Sequence, residues 1–60
     1  MELVIRIKMD GAAFDENCFE VGRLLRIAAE YGKMFGLKEL SRLKLRDING
    51  NICGSVTMEE

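Results

Sequence analysis

The sequence has no histidine, no proline and no tryptophan, and only two cysteines. Without histidine, and with two thiols far apart in the chain, no zinc-type ligand cluster can be assembled. A secreted disulfide scaffold needs more than the single bridge that two cysteines allow, so the thiols are expected to be reduced and the chain intracellular. Charge of one sign is missing too: nine basic residues stand against ten acidic ones, whereas a general polyanion binder would be strongly basic. No apolar run approaches the length of a membrane span, and the opening Met1-Glu2-Leu3-Val4-Ile5-Arg6-Ile7-Lys8 has neither the basic start nor the long apolar stretch of a signal peptide.

What is present is a globular composition. The chain is 48% hydrophobic with interspersed charge over 60 residues, enough for a single domain (1–60) and not for disorder. A chain of this length buries only about 60% of its unfolded surface. With disulfides and metals set aside, and no cofactor indicated, self-association is the remaining source of stability.

Three segments carry a period. Leu3, Ile5, Ile7 and Met9 alternate with Glu2, Val4, Arg6 and Lys8, which predicts a half-buried strand ended by Asp10-Gly11. A helix of about five turns is expected from Asp15–Asn17 onward, with Asn17 and Glu20 as a capping box. Its wheel places Cys18, Val21, Leu25, Ala28, Gly32 and Phe35 on one side and Arg23, Arg26, Glu30 and Lys33 opposite. Gly36 suits the position after the helix, with Leu37 folding back on it. Residues 37 to 42 fit either a short second helix or a connector. The third segment is a hairpin. Asn49-Gly50 lies between alternating apolar residues, and a two-residue turn there needs positive φ at both positions. That turn pairs Asp47 with Ile52, Leu45 with Gly54 and Leu43 with Val56; a three-residue loop with a bulge at Gly50 is the competing geometry. The favoured register puts Leu43, Leu45, Ile52, Val56 and Met58 on one face and Lys44, Arg46, Ile48, Asn51, Cys53, Ser55 and Thr57 on the other.

The element order β-α-β-β predicts an α+β, two-layer domain: one amphipathic helix on a three-stranded sheet. The first strand pairs most simply with the last, giving an all-antiparallel sheet; pairing parallel to the second strand would need a right-handed crossover.

Two surfaces stand out as binding candidates. Arg6, Lys8, Lys44 and Arg46, flanked by Asn51, Ser55 and Thr57, would share the sheet's outer face, a composition able to hold a phosphate, a carboxylate or an acidic protein surface. The same cations also suit a solvated face that resists aggregation. That face has no aromatic platform for base stacking, which disfavours nucleic acid. Leu24, Ile27, Tyr31 and Met34 form a second apolar stripe on the helix, suited to a dimer interface or to a wide core margin.

Other motifs carry less. Asp47-Ile48-Asn49-Gly50-Asn51 has the beginning of a calcium loop, but Ile52 stands where the glycine belongs and Met58 where the bidentate glutamate belongs. Cys53-Gly54-Ser55 has no histidine to act as base, and no catalytic residue is assigned. A strand followed by a helix also fits a ribbon-helix-helix DNA-binding regulator, with Val4, Arg6 and Lys8 in the major groove, provided that residues 37–46 form a second helix.

Leu45-Arg46-Asp47-Ile48-Asn49-Gly50-Asn51, followed by Gly54, resembles the C-terminal signature of small phage and prophage proteins of unassigned function. Ala13-Phe14 and Glu20-Val21-Gly22-Arg23-Leu24-Leu25-Arg26 resemble their helix, although Gly22 and the Phe35-to-Arg42 segment depart from it. The resemblance implies a phage or prophage origin and a place in the cytoplasm of an infected or lysogenic bacterium. By analogy of class, it also implies inhibition of a host protein by binding, as anti-CRISPR and other anti-defence proteins do. The leading expectation is therefore a non-enzymatic homodimer that blocks a host protein. A nucleotide-signal sequestration module and the DNA-binding regulator are the alternatives.

Overall fold

The computed structural model describes residues 1–60. Strand β1 (Glu2–Ile7) leads into a short helix α1 (Ala12–Glu16). The long helix α2 (Glu20–Leu40) follows, and strands β2 (Lys44–Arg46) and β3 (Ile52–Glu59) close the chain. The sheet order is β1-β3-β2 with both pairs antiparallel. This is the expected two-layer α+β arrangement, with the first strand on the last. No helix is long and apolar enough to cross a membrane.

The hairpin adopts the competing geometry. Gly50 alone has positive φ (87°), so Asn49 stays in ordinary backbone space. The Asp47 N–H donates to the Asn51 carbonyl at 2.8 Å and the Gly50 N–H to the Asp47 carbonyl at 2.9 Å, which closes a three-residue loop of Ile48, Asn49 and Gly50. Asp47 is the cause. Its Oδ1 accepts the N–H groups of Asn49 and Asn51, both at 3.0 Å, local bonds that short acidic and amide side chains form readily.

The longer loop shifts the pairing by one, so Arg46, not Asp47, opposes Ile52. A bulge between Leu45 and Arg46 then restores the expected pairs, Leu45 with Gly54 and Lys44 with Ser55. The Val56 N–H donates to the Leu43 carbonyl. The bulge also exchanges two side chains, because one extra residue reverses facing locally. Ile52 is exposed, and Cys53 packs against the core in its place.

Four helical expectations change. The chain makes a separate helical turn first, in which α1 buries Ala13 and packs Phe14 against the core. α2 begins at Glu20 without a side-chain cap, while the Asn17 Oδ1 accepts the Phe19 N–H at 2.9 Å. The helix is also rotated from its expected phase. Glu20, Leu24 and Ala28 are buried; Leu25 and Phe35 are exposed, and so is Cys18 just ahead of the helix. At Gly36 the backbone enters a region open only to glycine (φ 83°, ψ 179°) and kinks the helix. The last turn then brings Leu40, not Leu37, back against Gly32. Since residues 44–46 form β2, the second helix of a ribbon-helix-helix arrangement is not made.

The core is small. Ala13, Leu24, Ala28, Leu45 and Val56 are its only buried hydrophobic residues. Leu24 is fully buried and Leu25 is 44% exposed, so Leu24→Ala is expected to cost about 2–5 kcal/mol through lost contacts and a cavity. Leu25→Ala is expected to cost about 0.5 kcal/mol, the usual scale of a surface change. Urea melts of the two variants check this, and equal losses would contradict the rotated helix.

Candidate functional site

The outer face of the sheet holds two of the four predicted cations in one row: Arg6 opposes Ser55, which opposes Lys44 on its other side. The same alternation places Glu2 and Glu59 on that face, directly opposite each other. The Arg6 Nη1 donates to Glu59 Oε2 at 2.9 Å. Lys8 approaches Asp10 at 4.0 Å, and the Arg46 Nη1 donates to the Gly50 carbonyl at 3.2 Å. Lys44 is the one cation of the four without a bonded partner. The predicted basic face is therefore of mixed charge, because Glu2 and Glu59, side by side at one end of the sheet, enter it. A surface gathered for a phosphate would keep its cations free to meet it. Here Arg6 and Lys8 meet carboxylates and Arg46 a carbonyl, which leaves Lys44 alone without a partner.

The predicted dimer stripe divides. Leu24 is fully buried in the chain's own core and has no surface left to offer. Ile27, Tyr31 and Met34 remain together on α2 and are joined by Phe35. They line an open concavity of about 410 Å³ rimmed by Arg23, Arg26 and Glu30. The Tyr31 and Phe35 rings lie 4.7 Å apart, tilted by 52°, a favourable aromatic geometry. Met34 is 73% exposed and Phe35 54%. Aromatic rings and methionine bordered by arginine form the composition enriched at protein–protein interfaces. Phe35 escaped the sequence reading because the wheel was set one residue away. The spacing 27, 31, 34, 35 carries the signal, being the recurrence of one helix face.

The groove's rim is held by an ion pair with a buried carboxylate, which the sequence did not announce. Glu20 is fully buried. Its carboxylate receives both the Nε and the Nη2 of Arg23, each at 2.7 Å, and the N–H of Ile48 at 2.9 Å. Arg23 Nη2 also donates to the Arg46 carbonyl at 3.2 Å. The first turn of α2 is thereby fastened to the hairpin loop, and the guanidinium at the groove's edge is fixed in place. The Arg23 bonds hold the Glu20 carboxyl below the usual glutamate range, against the opposing effect of burial, with help from the Ile48 N–H. The same pairing raises Arg23. Cys53, which packs nearby, has its thiol pushed up first by burial and then by the charge of Asp47 and Glu20. That favours the neutral thiol over the nucleophilic thiolate.

A second, smaller concavity of about 140 Å³ lies beside the hairpin loop and includes Lys8, Asp10, Asp47 and Asn51 in its lining. No group of three or more acidic or sulfur ligands capable of holding a metal occurs. Comparison of the chain with protein-family models, curated proteins and solved structures gave no match.

Because the Glu20 carboxyl titrates lower in the folded chain than in the unfolded one, the unfolded chain takes up the proton first. The pair therefore contributes stability above the ordinary glutamate pKa and loses it as the pH falls through the lower folded value. Glu20→Gln is expected to be less stable than wild type at pH 7, with the gap smaller at about pH 3, where the unfolded chain has taken up the Glu20 proton. Urea melts followed by circular dichroism at the two pH values measure this. A gap that stays constant would mean that the ion pair contributes nothing dependent on charge.

Proposed function

We propose that this chain is a non-enzymatic binding protein that acts as a homodimer and blocks a host protein through the groove on α2. One observation carries the reading. Ile27, Met34 and Phe35 stay exposed beside Tyr31 in a chain with only five buried hydrophobic residues. A domain this small gains much by covering such a patch, and the groove's breadth suits an apolar helix or loop of a partner. Arg23, Arg26 and Glu30 at the rim supply polar contacts around the apolar centre. The resemblance of the hairpin and helix motifs to small phage and prophage proteins supports a bacterial target, with a defence component as the first class to test. On this reading the outer face of the sheet, with its paired charges, has no part in recognition.

The test is affinity capture from a bacterial lysate, followed by titration of the purified partner. Met34→Glu introduces a charge at the centre of the groove without touching the core, and it is expected to weaken that complex at least about tenfold. Lys44→Glu, on the outer face, is expected to leave it unchanged. The groove reading is wrong if the partner binds Met34→Glu as well as it binds wild type, or if only Lys44→Glu releases it.

A further inference from the structure

The sheet has two free edges, and they differ. β2 is three residues long and its pairing with β3 is broken by a bulge at Cys53, two features that keep an edge from recruiting another strand. β1 runs in unbroken register with β3 from Glu2 to Ile7 and has no proline, bulge or inward-facing charge. The Lys8 N–H donates to the Cys53 carbonyl at 2.7 Å. Alternation along an antiparallel pair then turns the backbone groups of Arg6, Val4 and Glu2 toward β3, and those of Ile7, Ile5 and Leu3 toward the free edge. Leu3, Ile5 and Ile7 also place their side chains on the helix side of the sheet. There α2 packs over β2 and β3, leaving Leu3 44% and Ile5 38% exposed, whereas Val56, the partner of Ile5, is 1% exposed. An unpaired ladder and an uncovered apolar row thus coincide on one edge.

We infer that this edge pairs with β1 of a second copy of the chain, antiparallel about a two-fold axis at Ile5. The result is a continuous six-stranded sheet with both helices on one face. This deepens the homodimer reading above by moving the contact from the helix to the strand, which leaves the α2 groove free for its target. The charge pattern selects the occupant and the register. Pairing about Ile5 places Leu3 opposite Ile7 of the second copy and Ile5 opposite its equivalent, joining the apolar rows. On the other face it places Glu2 opposite Lys8 at both ends of the contact, so each acidic residue meets a basic one. The neighbouring two-fold register, about Val4, would shorten the overlap and set Glu2 opposite Arg6, whose guanidinium is bonded to Glu59 at 2.9 Å, whereas Lys8 makes only an exposed 4.0 Å approach to Asp10. Self-complementarity of this kind is what a two-fold interface requires.

Light scattering and sedimentation distinguish the possibilities with wild type, Glu2→Lys, the double swap Glu2→Lys/Lys8→Glu, and Met34→Glu. All the substituted side chains are exposed, and circular dichroism checks that each variant folds. Wild type is expected to be a dimer. Glu2→Lys, which sets like charges against each other twice, is expected to dissociate about tenfold more readily. The double swap is expected to restore wild-type affinity, and Met34→Glu to remain dimeric. A monomeric wild type would overturn both the edge and the homodimer. A dimer indifferent to Glu2→Lys would overturn the edge and leave the homodimer standing. A loss that Lys8→Glu fails to repair would overturn the register about Ile5.

Discussion

The fold turns on one buried carboxylate. Glu20 has no exposed surface, and an ionised group in that position is tolerable only if its oxygens are occupied. Two arginine nitrogens and one backbone N–H occupy them. Because one bond partner lies on its own helix and the other in the hairpin loop, Glu20 does more than neutralise a charge. It fixes where α2 begins relative to the sheet, and it fixes how the helix is turned. With Glu20 pointing inward, the residues one and two helical steps further on, Leu24 and Ala28, must follow it into the core. Val21 and Leu25 are carried toward the flank, and the stripe of Ile27, Tyr31, Met34 and Phe35 is left outside.

The same carboxylate completes the hairpin. Four successive backbone N–H groups, from Ile48 to Asn51, point into a tight loop. Glu20 takes that of Ile48, the Asp47 side chain takes those of Asn49 and Asn51, and the Asp47 carbonyl takes that of Gly50. No loop donor is left for water to satisfy, which is why the longer loop wins over a two-residue turn. Asp47 is itself nearly buried, so the loop is part of the packed structure and not a mobile tip. Two acidic residues, 27 positions apart in sequence, thus close a single hydrogen-bonded unit from opposite sides.

This unit also marks where sequence reasoning stops. The alternation of Leu3, Ile5 and Ile7, the helical spacing before Gly36 and the Asn49-Gly50 punctuation are local signals, and the sheet order follows from them with little more than economy of connection. The phase of the helix is not local. On hydrophobicity alone Val21 and Leu25 belong inside and Glu20 outside; only a partner loop 28 residues away reverses that preference. Ile52 and Cys53 changed places for a related reason. The bulge exists because Asp47 lengthened the loop, and no periodicity of β3 itself reveals it. The candidate site was legible in part: Ile27, Tyr31 and Met34 belong to it, Leu24 does not because the rotation buries it, and Phe35 joins because the same rotation exposes it. The outer face is of mixed charge where the pattern of cations alone reads as basic, because register brings Glu2 and Glu59 to the same surface.

A core of five apolar side chains is small for any independent domain, and two groups of exposed hydrophobic residues differ in character. On α2 they form a concave patch of rings and methionine with an arginine at its edge that Glu20 holds rigid. Along β1 they form a straight row beside unpaired backbone. A groove accepts side chains from another protein and gives specificity by shape. An edge accepts backbone and gives specificity only through register and flanking charge. A chain that used its groove for self-association would leave an open strand edge to recruit whatever β-structure it met. Using the edge for self-association closes the sheet, pairs Glu2 with Lys8 and leaves the specific surface to the specific partner. The distribution of charge is consistent with that division: the outer face carries charges of both signs, the β2 edge is short, and β1 alone combines an open ladder with complementary ends.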